Sequence, residues 1–250
     1  MKQTNKDEII EAIVSSAKKV IETDTGHPRL DELIQRYYMD DYISEHVLNN
    51  QYIKSNFIKL NTLMQRYERN YEDDFAKEFM TYGDKKADEY IERYRGMVES
   101  EAKIANLKEN DKVIILGGGS LPLTALTYTK IFNAQCTCID IDRQAVKTSK
   151  ELIKHLNLQN KIDIHYGNAF DYPLKEYDLI LVVCLLPKKK ALAHVFKENN
   201  QAKIVFRSAI GLFKLWYGET SDEDLSEYKI LKMVNTDKKY AAQSGLIALK

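Results

Sequence analysis

Residues Lys112 to Thr129 read KVIILGGGSLPLTALTYT. The apolar run Val113, Ile114, Ile115 and Leu116 meets three glycines, Gly117, Gly118 and Gly119, and an apolar stretch follows. A short apolar run that stops at glycines reads as a buried strand. Glycine permits positive φ and removes the side chain that would clash with an approaching ligand. Ser120 suits a helix N-cap, and Pro122 suits a first helical turn, where its missing N–H costs nothing. The sequence therefore predicts strand Lys112–Leu116, a glycine turn and helix Leu121–Phe132. Doubly wound sheets hold nucleotide-like ligands at such units. A tight turn that holds nothing is the competing reading.

The turn departs from the dinucleotide fingerprint, because Leu121-Pro122 stands where a further glycine belongs. Pro122 also removes an N–H that a diphosphate would want at a helix start. The Gly-Lys-Ser/Thr of a P-loop is missing from the turn as well. A ligand with adenosine but no phosphate fits these residues better, and S-adenosylmethionine (SAM) is the candidate.

Strands and helices alternate through the rest of this half. Strands are predicted at Gln135–Ile141, Ile162–Tyr166, Tyr177–Leu185 and Ala202–Ser208, with helices Arg143–His155 and Lys188–Glu198. Tyr228–Asn235 and Ser244–Leu249 read as a closing antiparallel hairpin. Alternation of this kind builds a parallel doubly wound sheet. Asp140 ends the second strand roughly 20 residues past the glycines, where an acid accepts hydrogen bonds from ribose hydroxyls. Asp142 is the close alternative and also a natural helix N-cap. Gly167-Asn168-Ala169-Phe170 follows the third strand, where backbone groups and the Asn168 amide can meet an adenine edge. Ile141, Asn168 and Ala169 join Asp140 as candidate SAM contacts.

Residues 1–110 read as helices, with Pro28 as their one proline. Ile9, Ile10, Ile13, Val14, Ala17, Val20 and Ile21 share a helical face, and Thr25-Gly26-His27-Pro28 breaks the pattern. Helical periodicity continues over Asp31–Tyr38, Tyr42–Leu48, Tyr52–Tyr67 and Asp84–Leu107. Glu68 and Glu72 are four apart and share a face, beside Leu60, Leu63, Met64, Tyr67 and Tyr71. A carboxylate against an apolar wall has a raised pKa and can serve as a base. A solvated helix bearing Glu/Arg pairs is the plainer reading. The expected organisation is a helical domain over residues 1–110 and a Rossmann-like domain over 111–250.

Composition excludes several classes. Thirty-seven basic residues balance 37 acidic ones, which leaves no basic excess for nucleic acid. No apolar run reaches the roughly 18 residues of a membrane span, and MKQTNKDEIIEAIVSS lacks a signal-peptide core. Cys136, Cys138 and Cys184 lie in apolar runs and read as reduced, buried thiols of a cytoplasmic protein. The five histidines show no metal spacing, and no metal is expected. Lys188-Lys189-Lys190 reads as a solvated helix start that can attract a carboxylate. Arg207 ends the fifth strand, where it can clamp a carboxylate or pair within the fold.

Gly117-Gly118-Gly119-Ser120-Leu121-Pro122-Leu123-Thr124 resembles the Gly-Ser-Gly-Pro-Leu-Pro-Leu-Thr signature of nicotianamine synthases. Asp140-Ile141-Asp142 and Arg207-Ser208-Ala209-Ile210-Gly211 resemble that family's Asp-Ile-Asp and Arg-Ser-Ala-x-Gly. Glu68 and Glu72 resemble its Glu-x-x-x-Glu helix, and Tyr94 its tyrosine on the helix before the sheet. Gly118 and Ser120 depart from the signature.

The resemblance implies an α/β fold: an N-terminal helical bundle plus a Rossmann-like class I SAM-methyltransferase sheet closed by an antiparallel hairpin. It implies transfer of the 3-amino-3-carboxypropyl (2-aminobutanoate) group of SAM to an amine, with release of methylthioadenosine. The bacterial branch resembles synthases of staphylopine-type metallophores, in which histidine, expected here as D-histidine, receives one such group and an opine dehydrogenase takes the product. Carried onto this chain, Glu68 is the base, with Glu72 its alternative, and Tyr94 orients the amine or the SAM carboxylate. Gly117, Gly118, Gly119, Leu121, Pro122 and Thr124 surround the methionine moiety, Asp140 holds the ribose, and Arg207 binds a carboxylate. The helical half becomes a water-excluding lid; the sequence leaves open whether the chain is a monomer or a homodimer. A small-molecule N-methyltransferase and a non-catalytic SAM-fold module are the rival readings.

Overall fold

The computed structural model describes residues 3–26, 28–82, 84–235 and 240–250. Met1 and Lys2, His27 of the expected Thr25–Pro28 break, Gly83, and residues 236–239 of the expected hairpin turn lie outside them.

Five helices come first: α1 (Gln3–Thr23), α2 (Pro28–Tyr37), α3 (Asp41–Asn49), α4 (Gln51–Tyr82) and α5 (Asp84–Ala105). The stretch expected to end near Tyr67 runs on to Tyr82 as one 32-residue helix, because nothing in Gln51–Tyr82 is glycine or proline. At about 1.5 Å per residue, α4 is long enough to serve two cores. Its Ile53, Leu60, Leu63 and Met64 pack with α1, α2 and α3. Its Phe75, Ala76 and Phe79 pack with α5 and the sheet. Glu68 and Glu72 fall between these two apolar stretches.

The sheet follows as β1 (Lys112–Leu116), α6 (Leu123–Phe132), β2 (Gln135–Asp140), α7 (Arg143–His155), β3 (Ile162–Tyr166), β4 (Leu179–Val182), α8 (Lys188–Glu198) and β5 (Lys203–Ala209). A short 3-10 turn (Gly211–Phe213), α9 (Lys214–Tyr217), β6 (Tyr228–Val234) and β7 (Ala242–Leu249) complete the chain. The seven strands lie in the order β3-β2-β1-β4-β5-β7-β6. The first five are parallel, and β7 pairs antiparallel with both β5 and β6. That is the expected α/β arrangement with its closing hairpin.

Two boundaries move inward. The fourth strand is shorter than the Tyr177–Leu185 run, because the chain leaves the ladder at Val183. Helix α6 begins at Leu123, two residues later than expected. Proline disfavours helical geometry in the residue before it, so Leu121 cannot open the helix. Pro122 takes the cap position with no side-chain cap, and Ser120 is buried in the turn and is not the N-cap.

Packing does not follow a boundary at residue 110. Ile91, Val98, Ala102 and Ala105 of α5 share a core with β1, β2, β3 and β4. Conversely Ala209, at the end of β5, and Leu212, Phe213, Leu215 and Trp216 beyond it pack among the first helices. Gly211 permits this crossing: its φ is +51°, and a Cβ there would run into the Tyr38 carbonyl. Asn61 of α4 anchors the crossing by donating from Nδ2 to the Leu215 carbonyl (3.2 Å) and the Trp216 carbonyl.

Candidate active site at the glycine turn and the long helix

Gly117 and Gly118 both donate from their backbone N–H to the Ile139 carbonyl, at 2.9 and 3.1 Å, which binds the turn to β2. Gly119 has φ +66°, a conformation that suits glycine and strains other residues. Its N–H donates to Asp140 Oδ2 at 2.8 Å, and Asp140 Oδ1 accepts from the Asp142 N–H at 2.9 Å. Asp142 caps α7 by accepting from the Gln144 and Ala145 N–H groups, which is the helix-cap role. An ionised carboxylate has about four acceptor positions, so Asp140 retains two for hydroxyl donors. Beside it Ile141 is 67% exposed, an apolar side chain laid open at the sheet's ligand edge. Asn168 uses its side-chain oxygen on the Phe170 N–H at 3.0 Å, which leaves its amide nitrogen as the donor. Ala169 is buried under this turn.

Helix α4 closes over the glycines. A Cβ on Gly119 would stand 2.8 Å from Glu72 Oε2. Burial pushes the Glu72 carboxyl well above the usual range, and the charges of Glu68 and Asp140 push it further. One turn earlier, burial pushes Glu68 up to about 7, against the opposing hydrogen bond donated by the Tyr217 hydroxyl. That bond takes Oε1, while Glu68 Oε2 is buried with no hydrogen-bond partner. Glu68 and Glu72 are therefore not the solvated helix residues of the plainer reading. Tyr94 of α5 is half-buried near them, and its phenol is pushed up to about 12, chiefly by burial.

Arg207 takes the second of its two expected roles, pairing within the fold. It does not face the site with a free fork. Its Nε and Nη2 donate to Glu101 Oε1 (2.8 Å) and Oε2 (2.9 Å), and Nη1 donates to Thr124 Oγ1 (3.0 Å). Glu101 is fully buried and also accepts from Ser244 Oγ (2.6 Å) and the Tyr128 hydroxyl (3.2 Å). The guanidinium pairs within the fold, and Thr124 is engaged there too. Leu121 and Pro122 lie in the turn beside them, with Leu121 buried.

Lys188 is a correction. It is buried, and its Nζ donates to the carbonyls of Val183 (2.6 Å), Cys184 (3.0 Å) and Leu186 (3.1 Å). It holds the loop after β4, whose Val183 stands 2.7 Å from the place of a Gly117 Cβ. Lys189 pairs with Glu223 at 3.1 Å. Sequence reasoning missed Glu101, Tyr217 and this use of Lys188. A glutamate at the core-facing height of α5 was a signal for the first; nothing in the sequence marked Tyr217.

A parallel sheet of this order, a glycine turn after β1 and an acid after β2 define the class I SAM-methyltransferase-like fold. The chain belongs to the nicotianamine synthase family, whose model, described as nicotianamine synthase protein, matches residues 5–250. It is 29% identical over 129 residues to the L-histidine 2-aminobutanoyltransferase of Yersinia pestis, covering 51% of this chain and 48% of that protein. It is 21% identical over 143 residues to the enzyme of the same name from Pseudomonas aeruginosa, covering 56% and 53%. The chain thus spans about half the length of the curated relatives it matches. Among solved structures, a glutamate-to-glutamine variant of MtNAS superposes with a TM-score of 0.81 at 17% identity, over 100% of this chain and 99% of that one. Its complex with S-adenosylmethionine gives 0.78 at 18% identity, over 98% and 96%. At such identities the likeness is one of fold.

Proposed function

We propose that this chain transfers the 2-aminobutanoate group of S-adenosylmethionine to the amine of histidine and releases methylthioadenosine. The observation that carries the reading is the Glu68 carboxylate: buried between two cores, pushed up to about 7, with one oxygen unpartnered. An ammonium is not a nucleophile. A base of that pKa takes the proton of an amine substrate near neutral pH and returns it to water afterwards.

SAM fits the cradle beneath. Gly117, Gly118 and Gly119 let Val183, Cys138 and Glu72 close on the turn, Asp140 retains acceptor positions for ribose hydroxyls, and exposed Ile141 offers an apolar face to adenine. When bound, SAM supplies a sulfonium whose neighbouring carbons are open to a nucleophile. Burial first, and then the charges of Glu68 and Asp140, disfavour the ionised form of Glu72, so its carboxyl favours the protonated form. It thus offers a donor while Glu68 accepts. Tyr94 stays a neutral phenol and orients the amine or the carboxylate of the transferred group. Helix α4 keeps water from the reacting atoms.

Family membership and the names of the curated relatives support histidine as the acceptor, and those names favour L-histidine over the D isomer. The product carries the donor's amino and carboxyl groups on a secondary amine, a substrate for an opine-type dehydrogenase. The reading is tested by mass spectrometry of the protein with SAM and either histidine isomer. Methylthioadenosine and one histidine isomer heavier by one aminobutanoate are expected. S-adenosylhomocysteine with a methylated amine makes the chain an N-methyltransferase. Bound SAM without turnover of either isomer sinks histidine as the acceptor.

A further inference from the structure

Tyr217 lies at the end of the crossing segment, on a short helix that no motif of the glycine turn or of α4 predicts. Its ring stacks on Phe213, with centroids 6.3 Å apart at 20°, and meets Trp216 edge-on at 5.9 Å and 79°. Asn61 holds the two carbonyls just before it, and Gly218 ends the helix. The phenol is therefore fixed from behind by packing and from below by α4 itself. Its hydroxyl donates to Glu68 Oε1, and the second oxygen of Glu68 is left with no partner. Two equivalent oxygens are thus made inequivalent.

We propose that Tyr217 is the positioning residue for the Glu68 base: its hydroxyl pins Oε1 and so turns Oε2 toward the amine substrate. The proposal rests on the reading of Glu68 as the base. A hydrogen bond to the charged form of a carboxylate also favours that form, so Tyr217 draws Glu68 down while burial pushes it up. The groups that bear on Glu68 come from several elements. Asp31 of α2 disfavours its charge; Glu72 of α4, Tyr94 of α5 and Cys184 after β4 also face it. Tyr217 is the hydrogen-bond donor that the structure gives Glu68 among the described residues.

The test is Y217F, which keeps the ring stack and removes the hydroxyl. Hydrogen bonds to charged groups are worth about 1.5–3 kcal/mol, which converts to roughly one to two pH units. With Y217F, the acidic limb of kcat/KM should therefore move up by about one pH unit or more. At high pH kcat should still fall roughly tenfold, from misaligned Oε2, with KM for SAM within about twofold. A uniform loss at every pH, or no loss, overturns the proposal. Carboxyl-carbon NMR of Glu68 reads the same point without turnover. An unchanged Glu68 titration in Y217F overturns the proposal, whereas a raised one in a protein that forms no methylthioadenosine overturns only the assigned reaction.

Discussion

Glu72 Oε2 lies 2.8 Å from where a Cβ on Gly119 would stand, so helix α4 and the glycine turn approach as closely as they do only because residue 119 lacks that atom. The first prediction follows from it. Gly119→Ala forces a side chain into φ +66° and against Glu72. The left-handed conformation alone costs about 1–2 kcal/mol. SAM affinity, read by calorimetry, should fall at least about tenfold, because the Asp140 bond to the Gly119 N–H is displaced with it. Unchanged affinity would place SAM elsewhere.

Glu68→Gln removes the proton acceptor but keeps the shape. The rate of methylthioadenosine formation should fall about 10²–10⁴-fold, while SAM binding persists. In the parent protein kcat/KM should rise with pH through about 7.

The same burial has a stability consequence with a definite sign. Glu68 ionises near the ordinary 4.5 of a glutamate when unfolded and at about 7 when folded. The folded state therefore binds more protons between those values, and stability is lost as pH rises through that window. Glu68→Gln should be more stable than the parent at pH 8 by about 3 kcal/mol, read as a higher melting temperature, and melt near the parent at pH 4. Thermal melts at the two pH values check it.

Glu101→Ala should act on folding first. It leaves the Arg207 guanidinium buried without its partner, and removing one member of a buried pair costs about 3–5 kcal/mol. A denaturant midpoint measures it. Glu101→Gln should cost less, because the amide oxygen still accepts from Ser244 or Tyr128. A pair of variants with equal midpoints would contradict the network.

Lys188→Met keeps the buried stem and removes the donor to three carbonyls. Burial holds the Lys188 ammonium down at about 8, below the ordinary 10.5 of a lysine. The unfolded state thus binds more protons between these values, so the parent gains stability as pH rises from about 8 to 10.5, and the variant should not. Proteolysis of the 183–186 loop should be faster in the variant. Equal pH dependence of the two proteins would refute the assignment.

Much of the sheet was legible because its signals are local. Apolar runs of strand length, glycine at Gly117 to Gly119 and the helix cap at Asp142 act over a few residues, and their order alone implies parallel crossovers. The course of α4 was less legible. Its apolar face continues past Tyr67, but Tyr71 and the acidic run Glu72, Asp73, Asp74 blur the period that Phe75 and Phe79 resume. Boundaries failed where proline spoke, at Pro122, and where β4 left its neighbours.

The sequence by itself determined the alternation, the glycine turn, the acid after β2 and the shared face of Glu68 and Glu72, since each depends on residues within a turn or a strand. Only the tertiary structure decided what the charges do. Arg207 meets a glutamate 106 residues away, and Tyr217 reaches Glu68 across 149 residues. Whether a carboxylate is a solvated helix residue or a base near pH 7 depends on which distant side chains exclude its water. Desolvation is a property of the packed interior, and no window of sequence contains it.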